Sequence, residues 1–379
     1  MREEEKIIGT KVLLVGLDTG EETDFEHSMN ELKSLAEAAG KQVTGIITQR
    51  MGAVNNAFYI GSGKVEEVRE YAQQCQAEEV IFDNTLTPSQ MRNLGKALEL
   101  PVLDRTGLIL DIFALRARTR EARLQVETAR LQYILPRLVG MRENLGRQGG
   151  TFGGGMSNKG AGETKLELDR RKIEHRMSEL RKELEEVTRN RETMRKKRSQ
   201  SRIPQVALVG YTNAGKSTIL NHMLQLYGEN SEKKAVLEKD MLFATLDTNV
   251  RCIRPEGAGT DNRAFFLADT VGFIDKLPHG LVKAFRSTLE EVRSADLIVH
   301  VVDFSDEHYK QQMEVTNQTL KELEAGDIPR ITVYNKADKS DMQELPRIRD
   351  RQIYMAASLD RGTAELAEMI AECVYADRV

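Results

Sequence analysis

The chain has 379 residues, too many for one ordinary core and enough for about two or three domains. Apolar residues make up 40%, and no stretch reaches the ~18–20 apolar residues of a membrane helix, so a folded protein without an integral membrane segment is expected. The net charge of −4 conceals a basic middle: residues 1–113 carry −8, residues 114–202 carry +11 and residues 203–379 carry −7.

The start, "MREEEKIIGTKVLLVG", is acidic and runs straight into a strand-like stretch, so it does not read as a signal peptide. Residues 11–17 and 43–48 read as buried strands around a helix at about 24–39. "KVEEVREYAQQCQ" reads as a helix, "EEVIFD" as a strand, "SQMRNLGKAL" as a helix and "PVLD" as a short strand. That rhythm predicts a small parallel α/β domain. "IGSGK" at 60–64 looks like a shortened phosphate loop, but without the full spacing it reads better as a turn feeding a helix.

From about 107 to 139 the period becomes helical, with Leu115, Ala122, Val126, Ala129 and Tyr133 on one stripe that ends near Pro136. From 165 to about 198, Leu166, Ile173, Leu180, Val187 and Met194 recur every seven residues. Met177 and Leu184 fill intermediate positions, while Arg170 and Arg191 interrupt the seam. An intramolecular hairpin in a monomer suits so imperfect a seam. Between its helices lies the glycine-rich 146–162, "GRQGGTFGGGMSNKGAG", flanked or punctuated by Arg137, Arg142, Arg147 and Lys159. The positive charge either attracts a polyanion, nucleic acid first, or forms a solvated face paired at i,i+4. Cys75, Cys252 and Cys373 are too few and scattered for a disulfide framework or zinc site, and the histidines show no ligand spacing; a reducing cytoplasm follows.

After Pro204 comes "QVALVGYTNAGKSTILNHML": an apolar strand, a Walker A loop and a helix. The loop is Gly210-Tyr211-Thr212-Asn213-Ala214-Gly215-Lys216-Ser217, followed by Thr218. Its backbone N–H groups can converge on phosphates, Lys216 can neutralise the β- and γ-phosphates, and Ser217 can ligate Mg²⁺. "AFFLADTVGF" ends a strand in Asp269-Thr-Val-Gly272, where Asp269 can hold Mg²⁺ through water and the Gly272 N–H can reach the γ-phosphate. "RITVYNKAD" ends a strand in Asn335-Lys336-Ala337-Asp338. The Asp338 carboxylate can accept from guanine's two N–H groups, which adenine lacks, so the substrate is GTP. Thr245 in "FATLDTN" is the candidate switch threonine closing on Mg²⁺, with Thr248 second. Phe273, where many GTPases place a water-orienting glutamine, has no donor or acceptor and predicts slow intrinsic hydrolysis.

"GYTNAGKST", "FATLD", "DTVGF" and "NKAD" resemble the motif set of the HflX family of translational GTPases. "DRTGLILDIFALRARTREARLQVETARLQYILPRL" and "GAGETKLELDRR" are similar to that family's amino-terminal domain, so the resemblance covers about 60 to 362. It implies binding to the large ribosomal subunit and its rRNA, GTP-dependent separation of stalled or idle ribosomes, and ribosome-stimulated hydrolysis. The last guanine motif departs from the family's usual Ser-Ala: Ala356-Ala357 stands there, with the Ala357 N–H left to meet guanine O6 and a looser loop expected. "GYTNAGKST" also resembles GTPases whose asparagine holds a potassium ion; Asn213 either does this or only hydrogen-bonds the loop. Arg142, Arg147 and Lys159 are the candidate RNA contacts, the glycine segment being either an RNA-threading tip or a spacer.

The expected architecture is a small α/β domain (1–113), a basic helical hairpin (114–202) and a P-loop GTPase domain with a doubly wound, mainly parallel sheet (203–379). The rivals are a GTPase of rRNA or tRNA maturation and a GTP-switched interaction module.

Overall fold

The computed structural model describes residues 9–20, 24–138, 159–200, 203–227, 242–243, 249–255, 263–276, 286–340, 342 and 344–376, with backbone alone at 159–166, 190–200 and 286–289. The chain forms two compact units, Met1–Leu115 with Arg123–Leu184, and Arg116–Ala122 with Glu185–Val379.

The first unit opens with β1 (Lys11–Asp18), α1 (Phe25–Ala38), β2 (Gln42–Arg50), α2 (Ser62–Gln74), β3 (Glu79–Phe82), α3 (Pro88–Leu98) and β4 (Val102–Asp104). The strands form a parallel sheet in the order β2-β1-β3-β4. Its core is built from Leu13, Val15, Val68, Val80, Phe82 and Leu94. β2 differs from the buried strand expected: it is an edge strand, half-exposed along its length, because only β1 flanks it. "GSGK" does feed a helix, with Gly61 at the cap of α2.

The single helix expected over 107–139 is two, α4 (Arg105–Arg116) and α5 (Arg120–Ile134), followed by a 3₁₀ turn at Leu135–Arg137. The Thr119 hydroxyl accepts from the Ala122 N–H (3.1 Å) and caps the second helix, a local bond that competes with helix continuation. Leu115 therefore belongs to the preceding helix and is 65% exposed, while Ala122, Val126 and Ala129 are buried as expected. The fully buried Asp104 carboxylate anchors the base of these helices. It accepts from the Leu86 and Gly107 N–H groups, the Tyr133 hydroxyl and Arg137. Burial and this carboxylate hold the Tyr133 phenol above its ordinary pKa, so it stays a donor. Beside it the buried Arg105 guanidinium is paired with Asp83 and Glu31.

The long helix α6 (Lys159–Gln200) starts before the expected residue 165 and takes in Gly160 and Gly162. The last four residues of the glycine-rich segment are thus helical: each glycine costs about 1 kcal/mol in a helix, but Ala161, Glu163, Lys165 and Leu166 favour one. Arg142, Arg147 and residues 146–158 lie outside the described residues, as does the Lys159 side chain. Along the seam Leu180 is buried and Ile173, Met177, Leu184 and Val187 half-buried, while Arg176 makes a two-pronged ion pair with Glu127 of α5 (2.8 and 3.1 Å).

The second unit contains β5 (Gln205–Gly210), α7 (Lys216–Tyr227), β6 (Asn249–Ile253), β7 (Phe265–Asp269), α8 (Arg286–Arg293), β8 (Leu297–Asp303), α9 (Tyr309–Glu322), β9 (Arg330–Asn335), β10 (Arg347–Arg349), β11 (Gln352–Tyr354) and α10 (Thr363–Ala376). The sheet order is β10-β11-β9-β8-β5-β7-β6, parallel except for the edge strands β10 and β6. Ile219, Met223, Leu366 and Ile370 cover one face; Val292, Leu320 and Leu323 cover the other. Among the described residues no helix is long and apolar enough to cross a membrane.

Candidate nucleotide site

The site gathers at the carboxyl ends of β5, β7, β8 and β9, beside the central strand of the sheet. Gly210 closes β5 at φ +150°, and a Cβ there would lie 2.1 Å from the Val301 carbonyl oxygen of β8. Gly215 takes φ +97°, and its Cβ would lie 2.2 Å from Asn335 Nδ2. Asn213 takes φ +62° and is exposed. Two glycines are needed because neighbouring strands press on the loop. Asparagine tolerates the third left-handed position.

Lys216 is buried at the start of α7, its Nζ donating to the carbonyls of Gly210 (3.0 Å) and Tyr211 (2.8 Å). Burial pushes its pKa down to about 8, against an opposing pull from Asp269. The cation is thus folded back on its own loop, where phosphate oxygens could replace the two carbonyls. Thr212 Oγ1 is buried without a hydrogen-bond partner among the described residues, a second polar group here with capacity to spare.

Ser217 donates to Asp269 Oδ2 at 2.7 Å across the mouth of β5 and β7. A hydroxyl beside a fully buried carboxylate is a hard oxygen pair suited to Mg²⁺, whose remaining positions water and phosphate can fill. Thr270 is spent on structure, donating to the Leu208 carbonyl (2.6 Å). Gly272 lies directly against the loop: a Cβ there would meet Thr212 Cα at 2.8 Å and Lys216 Nζ at 3.0 Å. Thr245 and Thr248 lie outside the described residues.

Phe273 lies where the sequence placed the missing glutamine, and the structure supplies a reason. Its ring is buried among Ala207, Val209, Val292, Ile298 and Leu320, on the core side of β5. Its backbone is zipped to the phosphate loop, with Phe273 N–H donating to Gly210 O (3.1 Å) and Thr212 N–H to Phe273 O (2.8 Å). The Asp275 N–H donates to the Tyr211 hydroxyl at 2.8 Å. Nothing in the sequence marked Tyr211 as this clasp.

Asn335 joins the two ends of the site. Its Nδ2 donates to Ala214 O (2.9 Å), and its Oδ1 accepts from the Ala357 N–H (3.0 Å). The Ala357 N–H, the expected partner of guanine O6, thus donates here to the buried Asn335 carbonyl. Ala356 is fully buried, and Ala356 and Arg361 exchange N–H to carbonyl bonds of 3.0 and 3.1 Å. Lys336, at φ +59°, pairs with Asp303 (2.7 Å), and Asp338 is exposed in the following turn. Thr218 is half-buried on α7.

Three families match along the chain: residues 26–114 the GTP-binding GTPase N-terminal family, 116–198 the GTP-binding GTPase Middle Region, and 205–336 the 50S ribosome-binding GTPase family. The chain is 46% identical to GTPase HflX of Caldanaerobacter subterraneus over 91% of its own length and 76% of that protein's. It is 42% identical to GTPase HflX of Lacrimispora saccharolytica (99% and 86%) and 40% identical to GTPase HflX of Escherichia coli (96% and 83%). A Sulfolobus solfataricus GTP-binding protein crystallised with GDP is 23% identical over 96% of this chain and 99% of that one, with a TM-score of 0.47.

Proposed function

Because this chain belongs to the HflX family of GTPases, we propose that its hydrolysis of GTP is tied to splitting or rescue of stalled or idle ribosomes through the large subunit. The observation carrying this reading is the match of residues 205–336 to the 50S ribosome-binding GTPase family. The chain acts in the cytoplasm, as a monomer, on rRNA-rich surfaces.

In this reading the loop from Gly210 to Thr218 holds the phosphates, and Lys216 leaves its carbonyl partners for the β- and γ-oxygens. Ser217 and Asp269 would hold Mg²⁺, with Thr245 joining them in the GTP state; the bound ion would supply charge neutralisation to the phosphates. The Gly272 N–H meets the γ-phosphate. Asn335, Lys336 and Asp338 enclose guanine, Asp338 accepting from its N–H groups, while the Ala357 N–H exchanges its Asn335 partner for guanine O6. Asn213 offers its carbonyl oxygen to a potassium ion. A core-bound Phe273 ring cannot orient water, so free turnover is slow and the ribosome supplies what is missing.

Arg142, Arg147 and Lys159 provide rRNA contacts at the hairpin tip, each phosphate neutralised adding a slope of roughly −0.7 to −0.9 in log K against log salt. The test is sedimentation with purified ribosomal subunits, with and without a non-hydrolysable GTP analogue. Analogue-dependent pelleting with large subunits, weakened by charge reversal at the three basic positions, is the expected outcome. Equal pelleting without nucleotide would sink the reading.

A further inference from the structure

The sheet of the second unit carries a built surface that nucleotide chemistry does not use. In β9, Ile331 and Val333 are buried, while Arg330, Thr332 and Tyr334 alternate onto the opposite face and are half-buried. In β11, Ile353 is buried and Gln352 and Tyr354 share that opposite face. Parallel register sets Tyr354 beside Tyr334, and antiparallel register sets Arg347 opposite Tyr354 and Arg349 opposite Gln352. Three strands therefore bring two tyrosines, three arginines, Thr332 and Gln352 to one face.

The rings are ordered against one another. Tyr334 and Tyr354 stack with centroids 4.5 Å apart and planes 13° from parallel. Phe304 backs them edge-on at 5.6 and 5.3 Å, with Tyr309 beyond it. Arg347 and Arg349 are exposed and make no salt bridge among the described residues. Residues 345–354 hold three arginines against one aspartate, within a segment, 203–379, that is otherwise strongly acidic. An aliphatic partner would find little here, since the two stacked rings are tyrosines that bear hydroxyls. A polyanion with flat faces fits better.

We propose that this face binds an unpaired RNA strand, its bases stacking on the Tyr334–Tyr354 platform and its phosphates meeting Arg347 and Arg349. Aromatic stacking tolerates any base, and arginines along the strand follow the backbone. The platform adjoins the guanine-side segments: Tyr334 precedes Asn335, and Tyr354 lies two residues before Ala356. RNA seated here would bear on the loops that Asn335 clasps.

The test uses the full chain loaded with GDP and a short oligouridylate carrying 4-thiouridine. Photo-crosslinks should map to peptides containing Tyr334 or Tyr354. Arg347→Glu with Arg349→Glu should weaken oligouridylate binding about tenfold or more, and Tyr354→Leu, which keeps apolar packing, about fivefold, with GDP affinity unchanged in both. If Tyr354→Leu does not fold, the exposed arginine pair still decides. Crosslinks confined to other segments, undiminished binding by the arginine variant, or equal competition by duplex RNA would overturn the proposal. So would crosslinking of this face to protein rather than rRNA in purified large subunits. Any of these can occur while analogue-dependent subunit binding persists, so this proposal can fail without the ribosomal one.

Discussion

Two lysines sit at the mouths of two parallel sheets, each after a glycine, each opening a helix, and they differ in almost everything else. Lys64 lies in the first turn of α2 behind Gly61-Ser62-Gly63, neither glycine of which is left-handed; it remains partly exposed and pairs with Glu67 on its own helix. Lys216 follows a loop with left-handed residues at 213 and 215, is buried, and points back at two carbonyls. The contrast supports the proposal that a phosphate site is made by backbone, not by a glycine–lysine string. The loop must turn its N–H groups inward, and only a left-handed path beside a neighbouring strand does so.

The largest test of that contrast exchanges each lysine for alanine. Lys216→Ala should lower GTP affinity by roughly 10³-fold, about 4.1 kcal/mol, while Lys64→Ala leaves it unchanged. Titration with a fluorescent guanine nucleotide reads both; comparable losses in the two variants would erase the distinction.

Next come the glycines. Gly210→Ala drives a methyl into the Val301 carbonyl and should cost roughly 3 kcal/mol of stability in the GTPase unit. Gly63→Ala meets nothing within 4 Å, has ordinary helical φ and should gain up to about 1 kcal/mol. Urea unfolding of the two variants checks the sign as well as the size.

A smaller effect concerns recognition at the far end of the site, for which the Lys64 loop has no counterpart proposed. Asp338→Asn should weaken GTP roughly 100-fold and turn preference toward xanthosine triphosphate, whose added carbonyl accepts from the new amide. Competition between the two nucleotides measures it, and unchanged preference would free Asp338 of that role.

How much of this was legible beforehand depended on whether a feature is local. The strand–loop–helix of the phosphate loop, Asp269 at the end of β7 and Asn335 at the end of β9 are short apolar runs ending in fixed residues, so they could be read directly. The break at Thr119 was not, because a cap of one side-chain bond is outweighed in the sequence by helix formers on both sides. β2 reads as buried because its sequence is apolar enough for a core, and only sheet order leaves it at an edge. The clasp of Asn335 on Ala357 and the burial of Phe273 both depend on partners far along the chain, which no spacing rule reports.

The smallest effect follows from the same burial that sets Lys216 apart from Lys64. Burial pushes the Lys216 pKa down to about 8, below the 10.5 of an ordinary lysine. A lowered folded-state value means stability is greater at high pH and is lost as pH falls through that window, where the unfolded chain binds the proton more readily. A bound triphosphate acts in the opposite direction. Its charge favours the ammonium and raises the pKa again, so binding near pH 8 takes up a fraction of a proton and affinity declines as pH rises through that value. The change is less than about tenfold per pH unit. Calorimetry of GTP binding near pH 8, in two buffers of different ionisation enthalpy, should give enthalpies that differ by that fractional uptake. Lys216→Arg, whose guanidinium stays charged, should remove the difference; a buffer-dependent enthalpy that survives it would assign the proton to another group.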